Sequence, residues 1–288
     1  VTSPRNPYLL IFAAIVCVST ASIMVRFTTA PPLVIAFYRL SLTAILGGIL
    51  MAGSRQRWPA ERSHLPKAGL AGLFLAAHFG FWITSLSYTS VASAVLFTNL
   101  QVIFVIIFSR LFLNERINPR AMIGVAVALA GSAVIGGGDL FNGRLWGDVL
   151  ALISGFLFAV YLMIGRSIRS EVAIWPYTVV ISGIAGVFLA VAVAVTGQPF
   201  AGYPKLDYLW FLLMALLPGI GGHGILNWAI KYVKAPMVAI SILGESVGAS
   251  ILGYILLHEN LAWFQLLGGA MVLFGIYWAV SHEATSRL

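Results

Sequence analysis

Residues 113–131 read LNERINPRAMIGVAVALAG, and residues 257–275 read LHENLAWFQLLGGAMVLFG. The second stretch lies 144 residues beyond the first, half of the 288-residue chain. Set against each other, Leu113-Asn114-Glu115 falls on Leu257-His258-Glu259, Gly124 on Gly268 and Gly131 on Gly275. The same offset puts Tyr88 on Tyr232 and Pro32 on Pro176. Matches among Leu, Val and Ala carry nothing in so apolar a chain, but Glu, Gly and Pro recur at the same points of the hydropathy pattern. This is the mark of a duplication. Internal repeats in a membrane protein point to a transporter with its site where the repeats meet.

Hydrophobic residues make up 60% of the chain and charged residues 9%, against about a quarter charged in soluble domains. Ten apolar stretches can be read, roughly 8–25, 33–53, 67–87, 91–111, 119–137, 146–165, 174–196, 207–229, 236–256 and 262–280. Most approach the ~20 residues needed to cross a bilayer, and several carry Trp, Tyr or Pro at an end. The longest polar stretch, about Ser54 to Pro66, leaves no room for a soluble domain. The expected fold is an all-α integral membrane protein, one domain over 1–288. Its two five-helix repeats cover 8–137 and 146–280. The first stretch follows Arg5 but outruns a signal-peptide core and lacks a small-x-small cleavage site, so it is read as a true span. Cys17, the single cysteine, lies within it, which rules out an intrachain disulfide.

With the N-terminus placed in the cytoplasm, the inner loops collect Arg5, Arg55, Arg57, Arg62, Lys67, Arg110, Arg116, Arg120, Arg166, Arg169, Lys231, Lys234 and Arg287. The outer loops keep Arg26, Arg144 and Lys205. That asymmetry sets both termini inside and accounts for the net charge of +8. A nucleic-acid footprint would need a basic stripe on a soluble face, so no nucleic-acid partner is expected. Five spans per repeat bring the chain out on the opposite side, so the second half enters upside down. Glu115 is then inside and Glu259 outside. Inverted repeats of this kind permit alternating access.

Pro32 and Tyr38-Arg39 in the second span, together with the doubled Leu-x-Glu and Gly-rich ending, resemble the EamA family of the drug/metabolite transporter superfamily over about residues 8–280. Within it, the length and aromatic-rich spans resemble the YddG-type bacterial amino-acid exporters. The resemblance implies a multi-pass inner (cytoplasmic) membrane protein that exports small metabolites, aromatic and other large neutral amino acids foremost. Ser182-Gly183 stands where the second half would repeat Tyr38-Arg39, so Arg39 has no symmetry mate.

Polar residues at membrane depth carry the chemistry, because burying them without partners costs several kcal/mol. The offset pairs Gln101, central in span four, with Glu245, central in span nine. Glu245 is read either as an interhelical hydrogen bond or as a cavity-lining, proton-sensitive group. His78, Trp82 and Ser85 share a face of span three. His223 and Asn227 share one in span eight, after the helix-breaking Leu217-Pro218-Gly219-Ile220-Gly221-Gly222 stretch, which is expected as a hinge at Pro218, Gly219, Gly221 and Gly222. Arg39 suits a substrate carboxylate, or a structural tie to backbone carbonyls. Tyr38, Tyr161 and Asn99 complete the expected lining. Gly47-Gly48, Gly69-Gly72 and Gly183-Gly186 are expected to allow close helix packing.

Gly244-Glu245-Ser246-Val247-Gly248 matches a nucleophile elbow, but that motif needs a strand-to-helix turn, and here it falls in a membrane helix. An intramembrane serine protease using Ser246 stays a remote alternative, and a channel-like or lipid-handling protein a nearer one. No enzyme, cofactor or metal site is indicated; His258-Glu259 and His282-Glu283 lack the spacing of a zinc site. The partners implied are a small-molecule substrate (amino acids or related metabolites) and the lipid bilayer; the sequence leaves the oligomeric state open, a monomer being compatible with it.

Overall fold

The structure is a computed structural model describing residues 7–59, 64–136, 145–258 and 262–285. Among the described residues, ten helices are long and apolar enough to cross a membrane. They are Pro7–Arg26 (α1), Pro32–Ser54 (α2), Leu65–Ser85 (α3), Val91–Phe112 (α4) and Pro119–Gly136 (α5) in the first half. In the second they are Leu145–Arg169 (α6), Ile174–Val195 (α7), Lys205–Ala229 (α8), Ala235–Leu256 (α9) and Trp263–Glu283 (α10). There is no strand among the described residues. Large apolar side chains midway along their helices, such as Ile45, Val187 and Leu273, stay exposed on the outer face, as a lipid-facing surface requires. Glu259, Arg5, Arg62, Arg144 and Arg287 lie outside the described residues.

Local chemistry sets the helix ends. Pro32 opens α2 after Pro31 in extended geometry, since a proline in the first turn has no amide to leave unpaired. Ser90 caps α4 by accepting from Ser93 N at 3.1 Å. Asn114 after α4 and His258 after α9 both take positive φ, 52° and 55°. These two residues are 144 apart, the offset at which Leu113-Asn114-Glu115 aligns with Leu257-His258-Glu259.

The packing follows the same period. α3 packs on α6 and α1 on α8; α3 on α7 and α2 on α8; α4 on α6 and α1 on α9. In each couple, moving five helices along the chain turns one contact into the other. α2·α7, α4·α9 and α5·α10 map onto themselves. The α5·α10 seam brings backbone against backbone. A Cβ built on Gly124 would lie 2.5 Å from the Gly275 carbonyl oxygen, and one on Gly131 2.6 Å from that of Gly268. Sliding by 144 residues exchanges these two contacts. Elsewhere one glycine of each expected pair does the packing. Gly72 meets Ile184 and Gly186 meets Ser41 Oγ, at 2.6 and 2.8 Å from a built Cβ. Gly47 faces Thr178, whereas Gly48 and Gly69 have open space and Gly183 only an ordinary contact.

Three central features depart from uniform α-helix. The Pro/Gly stretch of α8, the expected kink or hinge, forms a π-helix over Ala215–Gly224. π-helical pairing passes the Met214 carbonyl to Gly219, the neighbour of a proline that has no N–H to give. α4 and α9 tighten to 3₁₀ geometry midway. Leu100 N bonds to Phe97 O (3.3 Å) and Leu243 N to Ile240 O (3.1 Å). Both turns lie beside the paired Gln101 and Glu245.

Candidate functional site

The helices bring seven of the expected lining residues to one central cavity: Arg39, His78, Trp82, Asn99, Gln101, His223 and Glu245. Tyr161 and Asn227 line an adjoining one, which shares Arg39 and His223. Tyr38 reaches neither. It stacks on Phe211 (4.6 Å between ring centroids) and donates to the Phe200 carbonyl at 2.8 Å, within an aromatic cluster with Phe37 and Tyr208. Consecutive residues on a helix point about 100° apart, so Arg39 turning inward carries Tyr38 off the cavity.

Arg39 dominates the electrostatics. It is 1% exposed, and none of its three guanidinium nitrogens has a hydrogen-bond partner among the described residues. Its Cζ lies 4.2 Å from the Phe79 ring centroid and 5.8 Å from that of Trp82. A desolvated cation–π contact is worth about 2 kcal/mol, short of the several kcal/mol that burying a guanidinium costs. Glu245 acts on Arg39 electrostatically, yet the two form no ion-pair contact. Glu245 and His223 keep partial exposure and face the cavity they line. The Gln101 Oε1 and Asn99 Nδ2 atoms are also buried and unpartnered.

His78 completes the donor and acceptor set. Its Nδ1 lies 3.1 Å from the Ser154 carbonyl oxygen and 2.8 Å from Ser154 Oγ. A carbonyl only accepts, so Nδ1 carries the proton and Nε2 keeps its lone pair. The cavity therefore presents Arg39 and Asn99 as donors, with Gln101, Glu245 and His78 as acceptors. Its volume of ≈ 30 Å³ has room for about two waters. A ligand larger than that fits only if the walls part.

Contacts between helices tie together both ends of the bundle. At one, Asp207 accepts from Thr29 N (3.0 Å) and Thr29 Oγ1 (2.8 Å), and Asp148 from Thr89 (2.8 Å) and Ser93 (2.7 Å) hydroxyls. At the other, Glu115 accepts from Arg166 Nε and Nη2 at 3.0 and 2.8 Å and from Ala235 N at 3.2 Å. Lys234 pairs with Glu283 at 2.5 Å. Arg166 and Arg169 also donate to the Ile230 and Asn227 carbonyls at the end of α8, where cations favour the helix dipole.

A membrane-depth cavity built from both halves suits a carrier, and comparison with known proteins bears on that. The EamA-like transporter family matches the chain twice, over residues 5–137 and 145–281. The chain belongs to that family. It is thus a membrane transporter. Relatives include an "uncharacterized transporter" of Archaeoglobus fulgidus, 25% identical over 258 residues, covering 85% of this chain and 86% of that protein. The "uncharacterized inner membrane transporter YedA" of Escherichia coli is 26% identical over 249 residues, covering 85% and 80%. A crystal structure superposes with a TM-score of 0.79 at 18% identity, over 98% of this chain and 99% of its own, and shows the shared fold.

Several cavity residues carried no clear sequence signal. Phe79 and Phe158 are two of many apolar residues in their helices. Thr178 and Ser182, four apart on α7, both line the second cavity; a polar pair one turn apart in an apolar helix was legible. Ser246 donates to the Leu243 carbonyl at 2.6 Å and has no histidine partner among the described residues.

Proposed function

We propose that this protein exports small, mostly neutral metabolites, aromatic and other large neutral amino acids foremost, by alternating access about the central cavity. In this reading the halves are inverted five-helix repeats in a bacterial inner membrane with both termini cytoplasmic. The observation that carries it is Arg39, a fully buried guanidinium with three unpartnered nitrogens, lining the same cavity as Glu245. A zwitterion supplies the missing partners, its carboxylate to Arg39 and its ammonium to Glu245, Gln101 Oε1 and His78 Nε2. Aromatic walls from Phe79, Trp82 and Phe158 suit an apolar side chain.

The double family match, the paired helix contacts and the Asn114/His258 backbone pair support duplication, and an odd number of spans per half supports inversion. Of the described Lys and Arg residues outside the membrane core, Arg26 and Lys205 alone lie at the end near Thr29. Such a bias supports placing that end outside. The name of YedA supports the inner membrane.

Proteoliposome flux tests the proposal. Saturable, counterflow-competent transport of amino acids is expected, and linear, non-competable flux would sink it. An apolar groove of ≈ 350 Å³ on α3, lined also by Leu33, Leu150 and Phe188, favours a second reading as a lipid-handling protein. Lipid scrambling without amino-acid counterflow would select that one.

A further inference from the structure

The second cavity differs in chemistry from the first. Arg39, Phe79 and His223 line both and form the partition between them. Beyond the partition, hydroxyl and amide groups of Thr43, Tyr161, Thr178, Ser182 and Asn227 face the space alongside the apolar Leu40 and Leu75. Two of these are committed within the protein. Thr43 donates to the Arg39 carbonyl at 2.7 Å, and Tyr161 to Asn227 Oδ1 at 2.8 Å. The others have capacity left. Thr178 Oγ1 is buried with no hydrogen-bond partner, its residue 4% exposed. Ser182 lies one turn along the same helix face. The Asn227 amide nitrogen has two hydrogens to donate while its oxygen is held by Tyr161. The cavity's ≈ 20 Å³ takes about one water, which these groups would hold.

We propose that this cavity is a subsite reading a hydrogen-bonding tip on the substrate's side chain. The carrier then prefers neutral amino acids ending in a hydroxyl or amide to their apolar isosteres. The inference rests on the central cavity being the amino-acid site. A substrate with its zwitterionic head at Arg39 and Glu245 reaches the subsite once Phe79 moves aside, since Phe79 stands between the two spaces. A hydroxyl or amide tip takes over the hydrogen bonds of the water it displaces. A phenyl or methyl tip displaces the same water and leaves Thr178 and Asn227 unpaired, which a buried polar wall penalises. Recognition by an unpaired polar wall discriminates more sharply than an apolar pocket can.

The test is binding of matched long side chains to the detergent-purified protein by calorimetry: tyrosine against phenylalanine and glutamine against methionine. The polar member of each pair should bind about tenfold or more tightly. T178V and S182A, both nearly isosteric, should each shrink that ratio several-fold, with circular dichroism verifying their helix content. Equal binding within pairs would overturn the subsite and leave the amino-acid reading standing. A preference that survives in both variants would overturn its assignment to this cavity. No binding by any member would refute the amino-acid reading and the subsite together.

Discussion

Removing the Glu115 carboxylate should loosen the end of the bundle where α4, α6 and α9 meet. Glu115 accepts three hydrogen bonds, two from the Arg166 guanidinium and one from the amide of Ala235 at the start of α9. The side chains are 13% and 24% exposed, so each bond is discounted for partial solvation to about 1 kcal/mol. Glu115→Ala then costs that closed end about 3 kcal/mol, roughly a hundredfold in the closed-to-open ratio. Glu115→Gln keeps one acceptor oxygen and should cost less. Cys17 is the sole cysteine, so a Cys17→Ser background carrying Val233→Cys gives one reporter, at a position 1% exposed near Lys234. Maleimide labelling from the side where this end opens should accelerate strongly in Glu115→Ala and modestly in Glu115→Gln. Equal labelling in all three proteins would show that this network does not hold the end shut.

Other perturbations reach the cavity and the seam. Arg39→Gln removes the one buried cation of the cavity and should weaken carboxylate-bearing ligands about a hundredfold, seen as loss of the ligand-induced thermal shift. If Glu245 couples transport to protons, Glu245→Gln should abolish the pH dependence of uptake while sparing counterflow, and an unchanged pH profile would remove it from that role. Gly131→Ala sets a methyl against the Gly268 carbonyl and should lower stability by about 1–3 kcal/mol, measured by thermal unfolding in detergent. The same change at Gly48, which has open space around it, should be near neutral or stabilising.

The ten spans were legible because bilayer thickness imposes length and apolarity on each. The predicted stretches and the helices agree to within a few residues; 174–196 became Ile174–Val195 and 91–111 became Val91–Phe112. Arg39, Gln101 and Glu245 were legible for the converse reason, since a polar group at that depth needs a reason to be there. Rotation about the helix axis was harder to read. Tyr38 and Arg39 look alike as candidates by depth, yet one enters the cavity and the other packs on Phe211. The partition at Phe79 was out of reach, because an apolar residue among apolar residues carries no signal until its neighbours are placed. The Pro218 region was read as a kink or hinge because proline removes a hydrogen bond; the local form it takes, a π-helix over Ala215–Gly224, was not legible. The 3₁₀ turns at Leu100 and Leu243 have no proline or glycine at their centre to announce them.

The α5·α10 seam has a consequence for how such a chain can arise. Gly124 meets Gly275 while Gly131 meets Gly268, so each helix offers the same face to the same face of its counterpart. That is an isologous interface, the kind formed by two identical subunits about a twofold axis. An ancestral half-length chain could have dimerised through it before the two copies were joined. Divergence is constrained there as well, because a bulky substitution on either helix is felt at the backbone of the other.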